Sequence, residues 1–202
     1  MKASVDALTL TSTRTFLGGV AVMQVIAALR SKSTKGTAAN ALGAAVCVIA
    51  GQVYRTMERA AGGADLYELR SADWYVTTPL MLIELLVLMG ASPRQNPAIF
   101  VYSIVSILIT IWMGVKAHRN QSARGVRWFV AATLVFVAML YAIFRSVDWS
   151  SETTMPAFFL GLWSLYPIAY WSRSDRWLSL LDLLTKGVFG IVVAERSFDL
   201  QR

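Results

Sequence analysis

Seven apolar stretches, each close to 20 residues long, follow one another along the chain, and we number them as the first to seventh segments. They cover about residues 13–30, 37–57, 71–90, 97–115, 127–146, 154–171 and 177–194. A helix needs about 20 apolar residues to cross a bilayer, whereas strands of a membrane barrel alternate in polarity over about 10 residues. The pattern therefore predicts an all-α membrane protein, with one domain over residues 1–202 that forms a seven-transmembrane-helix bundle.

The composition supports this class and excludes several kinds of site. Of the 202 residues, 56% are hydrophobic and 15% charged, which a soluble domain rarely reaches. The single cysteine, Cys47, excludes an intrachain disulfide. The net charge of +7 is spread over the segment ends, which favours membrane flanks over a nucleic-acid partner. Neither an enzyme active site nor a metal site is predicted.

Lys186 lies near the middle of the seventh segment. The other four lysines lie in or beside polar stretches. A charge at this depth is costly, so an intramembrane lysine indicates a functional site. Asp182 lies one helical turn earlier and shares its face. A buried lysine is also the kind of amine that condenses with a carbonyl compound to form a Schiff base.

The third segment carries several ionisable or polar side chains among apolar ones, namely Arg70, Asp73, Thr77 and Glu84. Eleven positions separate the two carboxyls, which is close to three helical turns, or about 16 Å. Both therefore face the same way. Such a ladder is expected of a proton path, and the alternative is a set of polar contacts that hold helices together.

Aromatic residues recur with helical spacing in the sixth segment, at Trp163, Tyr166 and Tyr170, with Pro167 among them. Such a stripe is usual in a packed core, and it also fits the wall of a ligand pocket. Which residues face this stripe decides between a packed core and a ligand pocket.

Taken in order, these residues resemble the microbial rhodopsins, seven-helix proteins that carry retinal on a lysine of the last helix. The matching motifs are Arg70-x-x-Asp73-Trp74-x-x-Thr77-Thr78-Pro79, Trp163-x-x-Tyr166-Pro167, and Asp182-x-x-x-Lys186 followed by Phe189-Gly190. Tyr54 and Trp128 add support from the second and fifth segments. The set Asp73, Thr77 and Glu84 looks like that of the proteorhodopsin-type proton pumps, and the short connections resemble the compact rhodopsins of algal viruses.

The resemblance implies a role for each charged residue. All-trans retinal would form a Schiff base with Lys186. Asp73 would be its counterion and proton acceptor, Asp182 the second counterion, and Glu84 the proton donor on the cytoplasmic side. Glu84 is expected to be protonated at rest, because removal from water disfavours the ionised form. Arg70 would lie just outward of this group.

The remaining expectations concern contacts and the pocket. Tyr54 and Tyr166 would bind Asp182, and Thr77 would hydrogen-bond Asp73. The residues expected around retinal are Tyr54, Trp74, Thr78, Met81, Trp128, Trp163, Tyr166, Pro167, Tyr170 and Thr185.

The function implied is a light-driven outward proton pump in the membrane lipid, with the N-terminus outside, the C-terminus cytoplasmic, and a homo-oligomer (trimer or pentamer). A light-gated channel is one alternative, although the second segment offers only Gln52 and, beyond it, Glu58 as channel-lining groups. A photosensor is another: Thr185 favours it, but it leaves Glu84 without a role. In a retinal-free receptor, Lys186 would only pair with Asp182.

The charges at the segment ends oppose this orientation. With the N-terminus outside, eleven basic residues lie outside and seven inside, although Arg70 should be discounted because it belongs to the third segment. Cytoplasmic ends usually carry the excess of positive charge. The orientation therefore rests on the resemblance alone.

Overall fold

The computed structural model of the protein describes residues 7–60, 65–120, 122–146 and 154–199. The described residues form helices and no strands. The helices are α1 (Ala7–Arg30), α2 (Thr34–Ala60), α3 (Leu66–Leu88), α4 (Pro97–Arg119), α5 (Ala123–Ser146), α6 (Thr154–Ser164), α7 (Tyr166–Trp171), α8 (Asp175–Asp182), a π-helical turn (Leu183–Val188) and α9 (Phe189–Asp199). The sixth segment is therefore α6 with α7, and the seventh is α8, the π turn and α9. The predicted seven-helix class is confirmed.

Several helices extend beyond the predicted apolar stretches, because their polar end residues continue the helix. The first helix already includes Ala7, the first described residue, whereas the predicted apolar stretch starts near residue 13. The Thr13 hydroxyl donates to the Thr9 carbonyl at 2.9 Å, and the Thr15 hydroxyl donates to the Thr11 carbonyl at 2.9 Å. Such bonds to the preceding turn let hydroxyl side chains remain in a helix.

Specific residues mark where helices start or stop. The Asp65 carboxylate caps α3 by accepting from the Tyr67 N–H at 3.0 Å. Gly90, after α3, has a φ of 82°, which costs glycine little. The Ser174 hydroxyl caps α8 by accepting from the Trp177 N–H at 3.3 Å. Residues 61–64 and 147–153 of two predicted connections lie outside the described residues, as do Lys2 and Arg202 among the orientation charges.

Six of the helical segments are long and apolar enough to cross a membrane; the sixth segment is the exception among those described. It is divided at Leu165 into pieces of 11 and 6 residues. Pro167 lacks the N–H that would bond the preceding turn, which accounts for the break.

The distribution of polar and apolar side chains is the reverse of that in a soluble protein. Large apolar side chains face outward, among them Leu29 at 82% exposure and Ile168 at 66%, whereas Arg70 and Asp182 are buried. This arrangement suits a lipid surround, in which polar groups must be satisfied within the protein. The chain is a multi-pass integral membrane protein.

Adjacent helices pack in order from α1 to α5, and α1 also packs against α9. The bundle has two ends. We call the half that contains Arg70, at the start of α3, the Arg70 half. The half that contains Glu84, near the end of α3, is the Glu84 half.

Candidate functional site

Lys186 lies at the centre of the bundle, in the π turn of the seventh segment. Its Nζ forms an ion pair with Asp73 Oδ2 and lies 3.5 Å from Asp182 Oδ1. All three side chains are buried. The predicted grouping of one lysine with two carboxylates is therefore present.

Asp182 accepts hydrogen bonds from three helical segments. The Tyr54 hydroxyl donates to Oδ2 at 2.9 Å and the Tyr166 hydroxyl to Oδ1 at 2.9 Å, so both predicted contacts are confirmed. Trp74 Nε1 also donates to Oδ1 at 3.1 Å, and Arg70 Nη1 donates to Oδ2 at 2.7 Å. Donors of this number and strength favour the ionised carboxylate.

Arg70 forms an ion pair with Asp182. Its Nη1 also donates to the Tyr54 hydroxyl at 2.7 Å, and its Nη2 donates to the Ser179 hydroxyl at 3.0 Å. The buried centre thus contains two cations and two carboxylates. This balance matters, because an uncompensated charge away from water costs several kcal/mol.

Asp73 is held by fewer groups than Asp182. Its Oδ2 contacts Lys186, but its Oδ1 has no hydrogen-bonding partner in the described part of the chain. Thr77 hydrogen-bonds Asp73, as predicted, through the main chain rather than the carboxylate. The Thr77 hydroxyl donates to the Asp73 carbonyl oxygen at 3.0 Å. A threonine within a helix commonly bonds the carbonyl four residues earlier. The two carboxyls that face Lys186 therefore differ in their surroundings.

Glu84 lies apart from this group, three turns along α3 and 1% exposed. No ion pair involves it among the described residues, and its Oε1 has no hydrogen-bonding partner among them. It is thus a buried acid without a cation.

A cavity opens beside Lys186, with about 770 Å³ of space between protein atoms, part of it open at the surface. Its wall is mostly aromatic and aliphatic, as is usual for pockets that hold small organic molecules. The predicted pocket residues that line it are Trp74, Thr78, Met81, Trp163, Tyr166, Pro167, Tyr170 and Thr185. Lys186 is the only charged residue among the described residues of the wall.

Trp128 does not line the cavity. It packs edge to face on Trp112, with ring centroids 5.3 Å apart, and its neighbour Phe129 faces the cavity instead. One position along a helix turns the side chain by about 100°. The fifth helix contributes Phe129, Ala132, Thr133 and Phe136. Their spacing of three or four residues was the available signal, and sequence reasoning missed it. Tyr54 lies behind Asp182 and does not line the cavity either.

Two irregular helical turns adjoin the site. The break at Leu165 lies between Trp163 and Tyr166, both of which line the cavity. In the π turn, the Lys186 carbonyl accepts a weak hydrogen bond from the Cys47 thiol at 3.7 Å. Such turns inside α-helices are frequent at functional sites.

The sequence of this chain is similar to those of known proteins over most of its length. A family model described as "Bacteriorhodopsin-like protein" matches residues 6–200. The Bacteriorhodopsin-II-like protein of Haloquadratum walsbyi is 31% identical over 140 residues, which cover 63% of this chain and 51% of that protein. The chain thus spans about half the length of this curated relative.

Solved structures give the same fold at lower identity. Viral rhodopsin OLPVRII superposes with a TM-score of 0.83 at 20% identity, covering 96% of this chain and 98% of that one. Xanthorhodopsin, described as a light-driven ion pump with dual chromophore, superposes with a TM-score of 0.81 at 20% identity, covering 95% and 91%. At these identities the likeness concerns the fold alone.

Proposed function

The chain belongs to the bacteriorhodopsin-like family, and on that premise we propose that it is a light-driven outward proton pump with all-trans retinal on Lys186. One observation carries the proposal: the buried, charge-balanced group around Lys186 includes Asp73 of α3, and the same helix carries a separate buried acid, Glu84. Between them, the two sites offer a proton acceptor and a proton donor.

The cavity wall suits retinal, because it is apolar and offers one amine. Lys186 would hold the chromophore through a Schiff base, and Trp74 and Trp163 provide flat apolar surfaces in the wall. When bound, retinal supplies a light-driven change of shape that reorients the Lys186 nitrogen. In every later step, side chains of the protein hold or transfer the proton.

Asp73 is the proposed proton acceptor. It contacts the Lys186 nitrogen and has one carboxyl oxygen without a hydrogen-bonding partner in the described chain. Asp182, by contrast, accepts from Arg70 and three neutral donors. A proton that leaves the Lys186 nitrogen therefore moves to Asp73, while Asp182 stays ionised and keeps the site balanced.

Glu84 is the proposed donor. A buried carboxyl without a cation holds its proton at rest, because an isolated carboxylate is costly away from water. It gives this proton to the Lys186 nitrogen and then takes one from the aqueous phase at its own end. Asp73 releases its proton to the aqueous phase at the Arg70 end, which restores the resting charges. Each cycle therefore moves one proton from the Glu84 half to the Arg70 half, which is outward if the N-terminus is outside.

A photosensor is the second candidate, and a contact of Thr185 favours it. The Thr185 hydroxyl lies 3.0 Å from the Tyr166 hydroxyl, and so joins the residue next to Lys186 to α7. A change at Lys186 could reach the surface of the sixth segment through this bond. A sensor would need no proton transport.

Illumination of cells that express the protein in unbuffered medium separates these functions. A pump acidifies the medium, a protonophore abolishes the change, and the Asp73→Asn variant shows none. Glu68→Gln is a matched control on the same helix, because Glu68 is exposed and pairs with Arg119 at the surface. No pH change in the unmodified protein contradicts the pump. Currents that reverse with the ion gradient indicate a channel instead.

A further inference from the structure

A buried glutamine lies beside Glu84. Gln24, on α1, is fully buried, and neither its Oε1 nor its Nε2 has a hydrogen-bonding partner among the described residues. The Oε1 of Glu84 also has no hydrogen-bonding partner among the described residues. A buried polar group without a partner costs about 1–3 kcal/mol, and each such group in a native protein calls for an explanation.

Two glycines bring these groups together. A Cβ built on Gly43 of α2 would lie 2.9 Å from both Gln24 Cδ and Glu84 Oε1, so these two atoms are separated by at most twice that distance. A Cβ on Gly190 of α9 would lie 2.9 Å from Gln24 Nε2. The amide is therefore accommodated between two backbones that lack side chains. It is not hydrogen-bonded to the carboxyl in the structure, but a rotation of either side chain or one bridging water molecule would join them.

The chemistry of an amide suits both protonation states of a carboxyl. Protonated Glu84 can donate a hydrogen bond to Gln24 Oε1, and ionised Glu84 can accept one from the Gln24 amide N–H. Asn40 lies one turn from Gly43 on α2 and is also buried, which adds a second amide between this site and the helix end.

We propose that Gln24 is a positioning residue for proton transfer by Glu84. The inference rests on the proposed donor role of Glu84. When Glu84 gives its proton to the Lys186 nitrogen, the carboxylate left behind accepts a hydrogen bond from Gln24. Glu84 then takes one proton from the aqueous phase at its own end. Gln24 neither gains nor loses a proton, and acts by stabilising the ionised donor.

A residue that only fills space would behave differently from one that binds the carboxyl. Gln24→Leu keeps similar bulk and removes the amide, while Gln24→Asn keeps an amide on a shorter side chain. Gln52→Leu is the matched control, because Gln52 is exposed on α2. Gly43→Ala is a further variant, which keeps Gln24 but places a methyl group between it and Glu84.

The first readout needs no light. The infrared C=O stretching band of protonated Glu84 is assigned by its loss in Glu84→Gln. This band should shift to higher frequency in Gln24→Leu and in Gly43→Ala, because both variants remove the proposed hydrogen bond, direct or through one water molecule, between the Gln24 amide and protonated Glu84. Gln24→Asn should give an intermediate shift, and Gln52→Leu none. A band that stays in place in both Gln24→Leu and Gly43→Ala overturns the contact.

The second readout is the recovery of the resting absorbance after a flash. Gln24→Leu should slow it about ten-fold or more, as expected for loss of a hydrogen bond to a charged group. If Gln24→Leu recovers normally while Glu84→Gln is slow, Gln24 has no part in the transfer and the donor role stands. If Glu84→Gln itself recovers normally, the donor role fails, and the infrared band alone decides the contact.

Discussion

The burial of the Arg70–Asp182 ion pair makes a quantitative prediction. Arg70 Nη1 and Asp182 Oδ2 are 2.7 Å apart, with side chains 1% and 0% exposed. Arg14 and Glu58 form a pair with the same 2.7 Å separation, but these side chains are 37% and 15% exposed. The two pairs therefore differ mainly in access to solvent, and Arg14→Leu is a matched control for Arg70→Leu.

Arg70→Leu removes three hydrogen bonds and leaves the centre with two carboxylates facing one cation. Removing one partner of a buried pair costs about 3–5 kcal/mol, because the other charge stays uncompensated. The Arg14–Glu58 pair, which keeps partial access to solvent, should contribute about 1 kcal/mol. Arg70→Lys, which keeps the charge but not the planar group of donors, should fall between them.

The assay is equilibrium unfolding of each variant in mixed micelles, with the free energy of unfolding taken from the transition. The Arg70→Leu variant should lose at least about 2 kcal/mol more than the Arg14→Leu variant. Equal losses for the two variants would refute the view that Arg70 compensates a buried carboxylate.

Three further predictions concern the proton path and the cavity. Glu84→Gln should slow recovery of the resting absorbance by orders of magnitude, because the donor is lost, while Glu68→Gln on the same helix should not; flash spectroscopy measures both. Asp73→Asn should shift the absorption maximum to the red and stop transport, since a negative charge beside Lys186 is lost; an unchanged spectrum would exclude Asp73 as the counterion. Phe129→Ala should slow retinal uptake or shift the absorption maximum, because Phe129 lines the cavity, whereas Trp128→Ala should leave both unchanged; the opposite ranking contradicts the assignment of the wall.

The seven-helix class could be predicted because a membrane constrains sequence strongly. Each spanning helix needs a long apolar stretch, and ionisable groups inside one are rare enough to indicate function. Lys186 and Asp182 share a face by their spacing alone. The contacts of Asp182 with Tyr54 and Tyr166 followed from the family resemblance, and they join residues 128 and 16 positions apart.

The details that sequence did not reveal depend on how helices rotate and bend against one another. Trp128 rather than Phe129 was expected in the wall, because a resemblance at one position does not fix the rotation of α5. The π turn, and the fact that a helix breaks at Pro167 but not at Pro79, depend on which carbonyls find donors after packing. Gln24 was overlooked because a single amide in an apolar stretch gives little signal. Its position on the buried face of α1, seven residues after Leu17 and three before Ala27, was the available indication.

The covalent site of retinal tests the central claim most directly. After reconstitution with all-trans retinal, borohydride reduction makes the linkage permanent, and peptide mass spectrometry locates it among the five lysines of the chain. We predict the adduct on Lys186 alone, and none in Lys186→Ala. An adduct on Lys2, Lys32, Lys35 or Lys116, or no adduct in a protein that has acquired visible absorbance, would contradict the account.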